Sequence, residues 1–164
     1  MFSFINSFWV NTVLVTEASA SEETCRCTAC INGTEQVNVN SLARYVFLAV
    51  RSCNQYFGLA MLSRYTCGVR ESTSDCDDYS TVFEGRSLPE MPLFGILKWP
   101  HARHDQMTIF IHKLFAAGYL QQHTVYLPEL SVRKERLAYC LNEKSLDALA
   151  NPNMSVYITV IRSV

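Results

Sequence analysis

Apolar and polar positions alternate at helical spacing in the first half of the chain. Residues 42–65 contain no proline and one glycine, and their polar members Arg44, Arg51 and Gln55 form a single stripe surrounded by apolar residues. Ser41 can accept a hydrogen bond from the free N–H groups of a helix start. The pattern predicts one long central helix over residues 42–65.

A second helical pattern lies in the other half of the chain. Five apolar residues recur there at helical spacing: Met107, Phe110, Ile111, Leu114 and Phe115. Asp105 is suited to the N-cap and Gly118 to the position after the helix end, so we expect a helix over Gln106–Ala117. A helix that ends in Ala-Gly-Tyr-Leu and continues into an extended segment resembles part of winged-helix domains.

The remaining segments predict shorter elements. Tyr119–Leu127 is expected to be extended, Ser131–Leu141 a helix, Ser145–Ala150 a short helix and Met154–Ile161 a closing strand. Between two prolines, Phe94–Trp99 fits a short strand. The chain is therefore expected to form an α+β fold, a single compact domain with a long central helix, two or three further helices and a small mixed or antiparallel sheet.

The length and composition agree with one domain. A chain of 164 residues can bury roughly two-thirds of its unfolded surface in one core. Residues 17–40 are expected to be a connector within it. Apolar residues make up 49% and charged residues 18%, which leaves apolar surface for a partner. The net charge of -1 disfavours bulk electrostatic attraction to nucleic acids or anionic membranes, although a local basic patch stays compatible with it.

The N-terminal segment Phe2–Val15 is largely apolar and invites comparison with a signal peptide. No Lys or Arg precedes it, and Asn6 and Asn11 interrupt it. We interpret it as part of the folded protein. Apolar runs are also too short for the roughly 20 residues of a membrane-spanning helix, so we expect no membrane partner.

Three cysteines within six residues, Cys25, Cys27 and Cys30, are the strongest local signal for chemistry. Three thiolates can converge on one zinc ion, and residues 17–40 would then be a small zinc-binding loop. His101 is a candidate fourth ligand, and the alternatives are His104, Cys53, Cys67, Cys76 and Cys140. The alternative is three reduced cysteines in a turn without metal. Because the total of seven cysteines is odd, we expect a reducing, intracellular and cytoplasmic location.

The start of the predicted long helix carries a resemblance. The segment from Ser41 to Val50, SLARYVFLAV, resembles the BC box through which cellular and viral substrate receptors dock on Elongin C. The resemblance implies that Leu42 inserts into the partner, while Val46 and Val50 continue the same helix face. Val46 stands where the family has Cys, Ser or Ala. Periodicity offers the alternative that all three are core positions.

A basic run offers a different function. Arg133, Lys134 and Arg136 lie near the aromatic residues Tyr126 and Tyr139, a combination typical of nucleic-acid binding, although a solvated helix face explains the same residues.

An enzymatic function has less to support it, because the chain has no glycine-rich phosphate loop and no serine-hydrolase elbow, and no cysteine is visibly paired with a histidine. We therefore expect a non-enzymatic interaction or regulatory protein, by analogy a viral antagonist of host defence active in immune evasion. It would bind a host protein such as Elongin C as a ubiquitin-ligase adaptor. An RNA-binding suppressor of RNA silencing and a small cysteine- or metal-dependent hydrolase stay open as alternatives.

Overall fold

The computed structural model describes residues 33–69, 82–83, 86–98, 103–126 and 135–161. The helices are α1 (Asn40–Ser52), α2 (Leu59–Cys67), α3 (His104–Ala116) and α4 (Glu143–Ala150), and Leu88–Glu90 forms one 3-10 turn. The strands are β1 (Thr34–Asn38), β2 (Val82–Phe83), β3 (Arg86–Ser87), β4 (Leu120–Tyr126), β5 (Glu135–Leu141) and β6 (Tyr157–Ile161). They form the antiparallel pairs β1–β6, β2–β3 and β4–β5, so the predicted α+β fold is confirmed.

The predicted long central helix is wrong in one respect, because it is two helices. α1 ends at Ser52, and Asn54 and Gln55 adopt left-handed backbone angles with φ of 49° and 62°. Residues 53–58 connect α1 to α2, and we call them the α1–α2 connector. This connector pairs with β5, because the Tyr139 N–H donates to the Phe57 carbonyl oxygen (3.0 Å). This pairing outweighs the helix-forming tendency of the connector sequence.

The core is shared by α1, α2, α3 and β6. α1 contributes Val46, Phe47 and Val50, all with no exposed surface. The other fully buried large side chains include Leu62 and Tyr65 from α2, Phe110, Ile111 and Leu114 from α3, and Ile158 from β6. Burying one such side chain stabilises the fold by about 1.5–3 kcal/mol. One continuous apolar cluster therefore holds the helices and the β1–β6 pair together.

The predicted helix over Ser131–Leu141 is also wrong, because Glu135–Leu141 is the strand β5. It pairs with β4 in a register that runs from Leu120 opposite Leu141 to Tyr126 opposite Glu135. Leu137, Tyr139 and Leu141 recur at a spacing of two, which places them on one face of a strand. The predicted extended segment at β4 is confirmed.

Turns at residues 92–97 replace the strand predicted at Phe94–Trp99, of which Trp99 lies outside the described residues. We call residues 92–97 the capping segment. The Gly95 and Leu97 N–H groups donate to the carbonyl oxygens of Tyr65 (2.8 Å) and Thr66 (2.9 Å), so this segment caps the C-terminal end of α2. Leu97 is fully buried there.

The helices predicted at Gln106–Ala117 and Ser145–Ala150 and the closing strand are confirmed as α3, α4 and β6. At the start of α4, Asn142 and Ser145 satisfy each other's backbone N–H groups with their side chains. Of the predicted connector over residues 17–40, Thr34–Asn38 is β1 and residues 17–32 lie outside the described part. None of the helices in the described ranges has the length and apolar character needed to cross a membrane.

Candidate nucleic-acid interface

The β4–β5 hairpin is anchored to the core at one end. Leu120 is 2% exposed and Tyr139 3%. The Tyr139 ring meets Phe115 of α3 edge to face, with ring centres 5.7 Å apart. Burial raises the pKa of the Tyr139 phenol above its usual range. Because helix α3 and this end of the hairpin share one packed cluster, the hairpin has a fixed orientation.

The other end of the same face is exposed to solvent. Residues opposite each other in an antiparallel pair point to the same side, so Thr124, Tyr126, Glu135 and Leu137 share one face. Tyr126 is 57% exposed and Leu137 61%, the highest values among the large apolar side chains that the structure describes. The two are diagonal neighbours across the pair, about 7 Å apart. An aromatic ring and a leucine thus form a solvent-facing apolar pair.

Arg136 lies at this exposed end, in β5 opposite Val125 and on the reverse face from Tyr126. The side chain of Arg136 is partly buried and has an interaction partner. Arg133 and Lys134 precede β5 in the sequence and lie outside the described residues. The structure therefore brings one of the three predicted nucleic-acid residues, Arg136, to the same end of the hairpin as Tyr126.

The predicted Elongin C docking face is turned toward the core. Val46 and Val50 have no exposed surface, and Leu42 is partly buried against the same cluster. A partner could contact Val46 or Val50 only after α1 moves, so partner binding through these two residues stays a prediction. The periodicity argument, which made all three core positions, accounts for them. The outward face of α1 carries instead Tyr45 (42% exposed) and Leu48 (37%).

The candidate zinc ligands Cys25, Cys27, Cys30 and His101 all lie outside the described residues. Within the described ranges, no three His, Cys, Asp or Glu side chains come together as a metal-binding group.

Two cysteines of the described part of the chain, Cys53 and Cys67, are buried. Burial raises the pKa of the Cys53 and Cys67 thiols to about 11. The Cys53 thiol donates to the Val50 carbonyl oxygen (3.3 Å). A protonated, buried thiol is a weak nucleophile at neutral pH, so neither residue is suited to thiol catalysis.

Sequence reasoning named Tyr126 but missed Leu137, because the segment was interpreted with a helical period. The period-two spacing of Leu137, Tyr139 and Leu141 was the available signal. Comparison with known proteins adds no relative: no protein-family model matches the chain, and a search of the curated proteins finds no match.

Proposed function

We propose that this protein binds nucleic acid through the exposed end of the β4–β5 hairpin. The supporting observation is the exposed ring of Tyr126 at the same hairpin end as Arg136, with Arg133 and Lys134 next in the sequence. A base that stacks on an exposed aromatic ring contributes about 1–3 kcal/mol. The aromatic ring contacts the bases, and arginine and lysine side chains contact the phosphate groups of the backbone.

The order of the elements supports the proposal. In the described part of the chain, α1 and α2 precede the short β2–β3 pair, and α3 leads through a turn at Gly118 into the β4–β5 hairpin. A helix that leads directly into an extended segment in this way resembles part of winged-helix domains. The analogy concerns the fold, and the functional argument rests on the residues at the hairpin end.

The charge of the protein defines how such binding depends on salt. The net charge is -1, so attraction comes from a local group of cations rather than from the whole surface. If Arg133, Lys134 and Arg136 each neutralise one phosphate, the logarithm of the binding constant falls with the logarithm of salt concentration with a slope of about -2 to -3. A slope near zero would contradict the proposal.

Fluorescence anisotropy with labelled single-stranded RNA, single-stranded DNA and duplex DNA tests the aromatic contribution. Tyr126→Ala is expected to weaken binding about 5- to 150-fold, because a stacking platform is removed. Tyr157→Ala is the matched control, since Tyr157 is also exposed (45%) but lies on β6. Equal losses in the two variants, or no binding by the unsubstituted protein, would reject the hairpin as the interface.

The same assay separates the charged contribution. Arg136→Gln, alone and combined with Arg133→Gln and Lys134→Gln, is expected to weaken binding to all sequences uniformly. The salt slope should fall by about 1 for each phosphate that a side chain no longer neutralises. A strong preference for RNA over DNA supports the silencing-suppressor version of this function. Equal binding of both supports a general nucleic-acid-binding role.

Capture of a host protein is a second candidate, favoured by the solvent-facing Tyr45 and Leu48 on α1. On this proposal the protein is an intracellular, viral antagonist of host defence, and its outward α1 face enters a partner groove. Binding of purified Elongin C is the direct readout. Leu48→Asp should abolish it, whereas Leu137→Asp, an equally polar change on the hairpin, should leave it intact.

Zinc binding by Cys25, Cys27 and Cys30, with His101 as the fourth ligand, stays a prediction from the sequence. Native mass spectrometry before and after a chelator tests it. One zinc ion per chain is expected, and loss of that ion in a Cys27→Ser variant would assign it to this cluster.

A further inference from the structure

The outer edge of β4 carries backbone groups that point away from the hairpin. The Tyr139 N–H donates to Phe57 in the connector, so Tyr139 faces away from β4 and forms a non-hydrogen-bonded pair with Gln122. Hydrogen-bonded and non-hydrogen-bonded pairs alternate along the ladder, so the N–H and C=O groups of Leu120, Gln122, Thr124 and Tyr126 all point outward. Leu120 is only 2% exposed, so the groups within reach of another strand are those of Gln122, Thr124 and Tyr126. Among the described residues, none of these groups has a hydrogen-bond partner.

The outer edge of β5, by contrast, is covered by the connector between α1 and α2. The Tyr139 N–H donates to the Phe57 carbonyl oxygen, and the Leu141 N–H donates to the Gln55 side-chain oxygen (2.9 Å). Gly58 lies so close that an added Cβ atom would stand 2.9 Å from the Leu137 carbonyl oxygen. Within the described residues, the β5 edge of the hairpin is therefore covered and the β4 edge is open.

The sequence of β4 lacks the features that keep open edges apart. Its seven residues, LQQHTVY, include no charged residue, proline or glycine. Exposed edges in monomeric proteins are usually blunted by lysine, proline or a bulge, because an open edge is a template for another strand. In the β1–β6 pair, β1 carries the charged residue Glu35, and the Thr159 carbonyl oxygen of β6 accepts a hydrogen bond from the Lys113 ammonium group (3.0 Å). Among the strands that the structure describes, β4 is thus the edge best suited to strand addition.

We infer that β4 pairs with β4 of a second copy of this chain, antiparallel and with the two-fold axis at Thr124. This register places Thr124 opposite its own counterpart and Gln122 opposite Tyr126 of the other copy. Every outward N–H and C=O group of these three residues then finds a partner, because their spacing is symmetrical about Thr124. No charged side chains of β4 meet, and a central threonine pair is a favourable cross-strand contact.

The resulting sheet would run β5, β4, β4, β5 across the two copies. Leu137 lies opposite Thr124 in each hairpin, so the exposed leucines would flank the central threonines on one face of a four-stranded sheet. This inference does not rest on nucleic-acid binding, since it uses the edge of β4 rather than the face that carries Tyr126. Each can fail without the other.

Disulfide cross-linking of the full chain tests the register. Opposite residues in a hydrogen-bonded antiparallel pair have Cα atoms about 5.5 Å apart, within reach of a disulfide. Thr124→Cys is therefore expected to give a covalent dimer under mild oxidation, with the bond between the two introduced thiols identified by peptide mapping. Leu137→Cys is the control: its two thiols would lie two strands further apart, about 14 Å, and should not react.

Sedimentation equilibrium of unlinked variants supplies the second measurement. Thr124→Lys would bring two ammonium groups together at the two-fold axis and should weaken dimerisation at least tenfold, whereas Thr124→Val should leave it intact. Both variants keep the hairpin ladder, so their far-UV circular dichroism should match that of the unsubstituted chain. A protein that stays monomeric up to roughly millimolar concentration overturns the inference. So does a dimer that is insensitive to Thr124→Lys and unlinked by Thr124→Cys.

Discussion

At the scale of single residues, burial decides what the cysteine side chains can do. Cys53 is 1% exposed, and removal of water from around its thiol is the main reason that its pKa rises from 9.0 to about 11. The thiolate is the form that attacks electrophiles and binds metals. Because the Cys53 thiol is buried and protonated at neutral pH, it is poorly suited to nucleophilic attack or metal binding. Its role is that of a small apolar residue in the core.

The raised pKa predicts how stability depends on pH. The Cys53 thiol loses its proton near pH 9 in the unfolded chain but only near pH 11 in the folded protein. Its contribution to the free energy of unfolding is therefore constant below pH 9 and decreases between pH 9 and 11. Cys67 contributes in the same direction, and Lys113, whose pKa is lowered by burial, in the opposite one.

Cys53→Ala is expected to be less stable at pH 8 but to lose less stability between pH 9 and 11. Urea unfolding at both ends of that range measures the difference. Cys140→Ala is the control, because Cys140 is only partly buried and its removal should change the slope less. If the Cys53→Ala slope equals that of the unsubstituted protein, burial of this thiol does not control the alkaline stability.

At the scale of elements, a close approach of two glycines joins α2 to the segment that caps it. Gly68 has a φ of 69°, and an added Cβ atom would stand 2.9 Å from the Gly95 Cα atom. Gly68→Ala should therefore cost both the left-handed conformation, about 1–2 kcal/mol, and a backbone clash worth about 1–3 kcal/mol.

Gly118→Ala isolates the first of these costs. Gly118 has a similar φ of 74°, but nothing lies within 4 Å of the position that an added Cβ atom would take. Urea unfolding of both variants should give a larger loss of stability for Gly68→Ala. Equal losses would mean that the capping segment moves away without cost, and that its contact with α2 is not a stabilising one.

The same scale shows what the sequence could predict. α3, β4, α4 and β6 were predicted because their periodicity and the turns next to them are local features. The predicted N-cap of α3 was wrong, because the helix begins at His104 with Arg103 at the N-cap and Asp105 in its first turn. The break between α1 and α2 was missed because it depends on a contact with a distant part of the chain. Asn54 and Gln55 adopt the left-handed conformation in a connector that pairs with β5. β5 was missed for a similar reason: its partner strand, rather than its own composition, selects the extended form.

At the scale of the whole molecule, the candidate site depends on that missed strand. Tyr126 and Leu137 become neighbours only when β4 and β5 pair, and the open edge of β4 is defined by the hydrogen bonds of Tyr139. Sequence reasoning could name the basic run and Tyr126 but could not bring them to one end of a hairpin. The burial of Val46 and Val50, by contrast, follows from the amphipathic pattern of α1 alone.

Tyr65 connects the parts of the molecule that pack around α2. Its hydroxyl group lies 2.6 Å from the Ser52 Oγ atom of α1 and donates to the Pro92 carbonyl oxygen of the capping segment. Its ring meets Phe57 of the connector edge to face, with ring centres 5.4 Å apart. One fully buried side chain thus joins α1, α2, the connector and the capping segment.

Tyr65→Phe keeps the ring and removes only the hydroxyl group, which leaves the Ser52 hydroxyl and the Pro92 carbonyl without this partner. We expect a loss of about 1–3 kcal/mol in the free energy of unfolding, measured by urea denaturation. Because the hydroxyl links several elements, the loss should appear in one cooperative transition that fluorescence and circular dichroism report together. Tyr45→Phe, a change at an exposed ring on α1, should cost less than about 0.5 kcal/mol. A Tyr65→Phe variant whose two probes separate would show instead that the capping segment unfolds on its own, and that Tyr65 stabilises that segment rather than the whole fold.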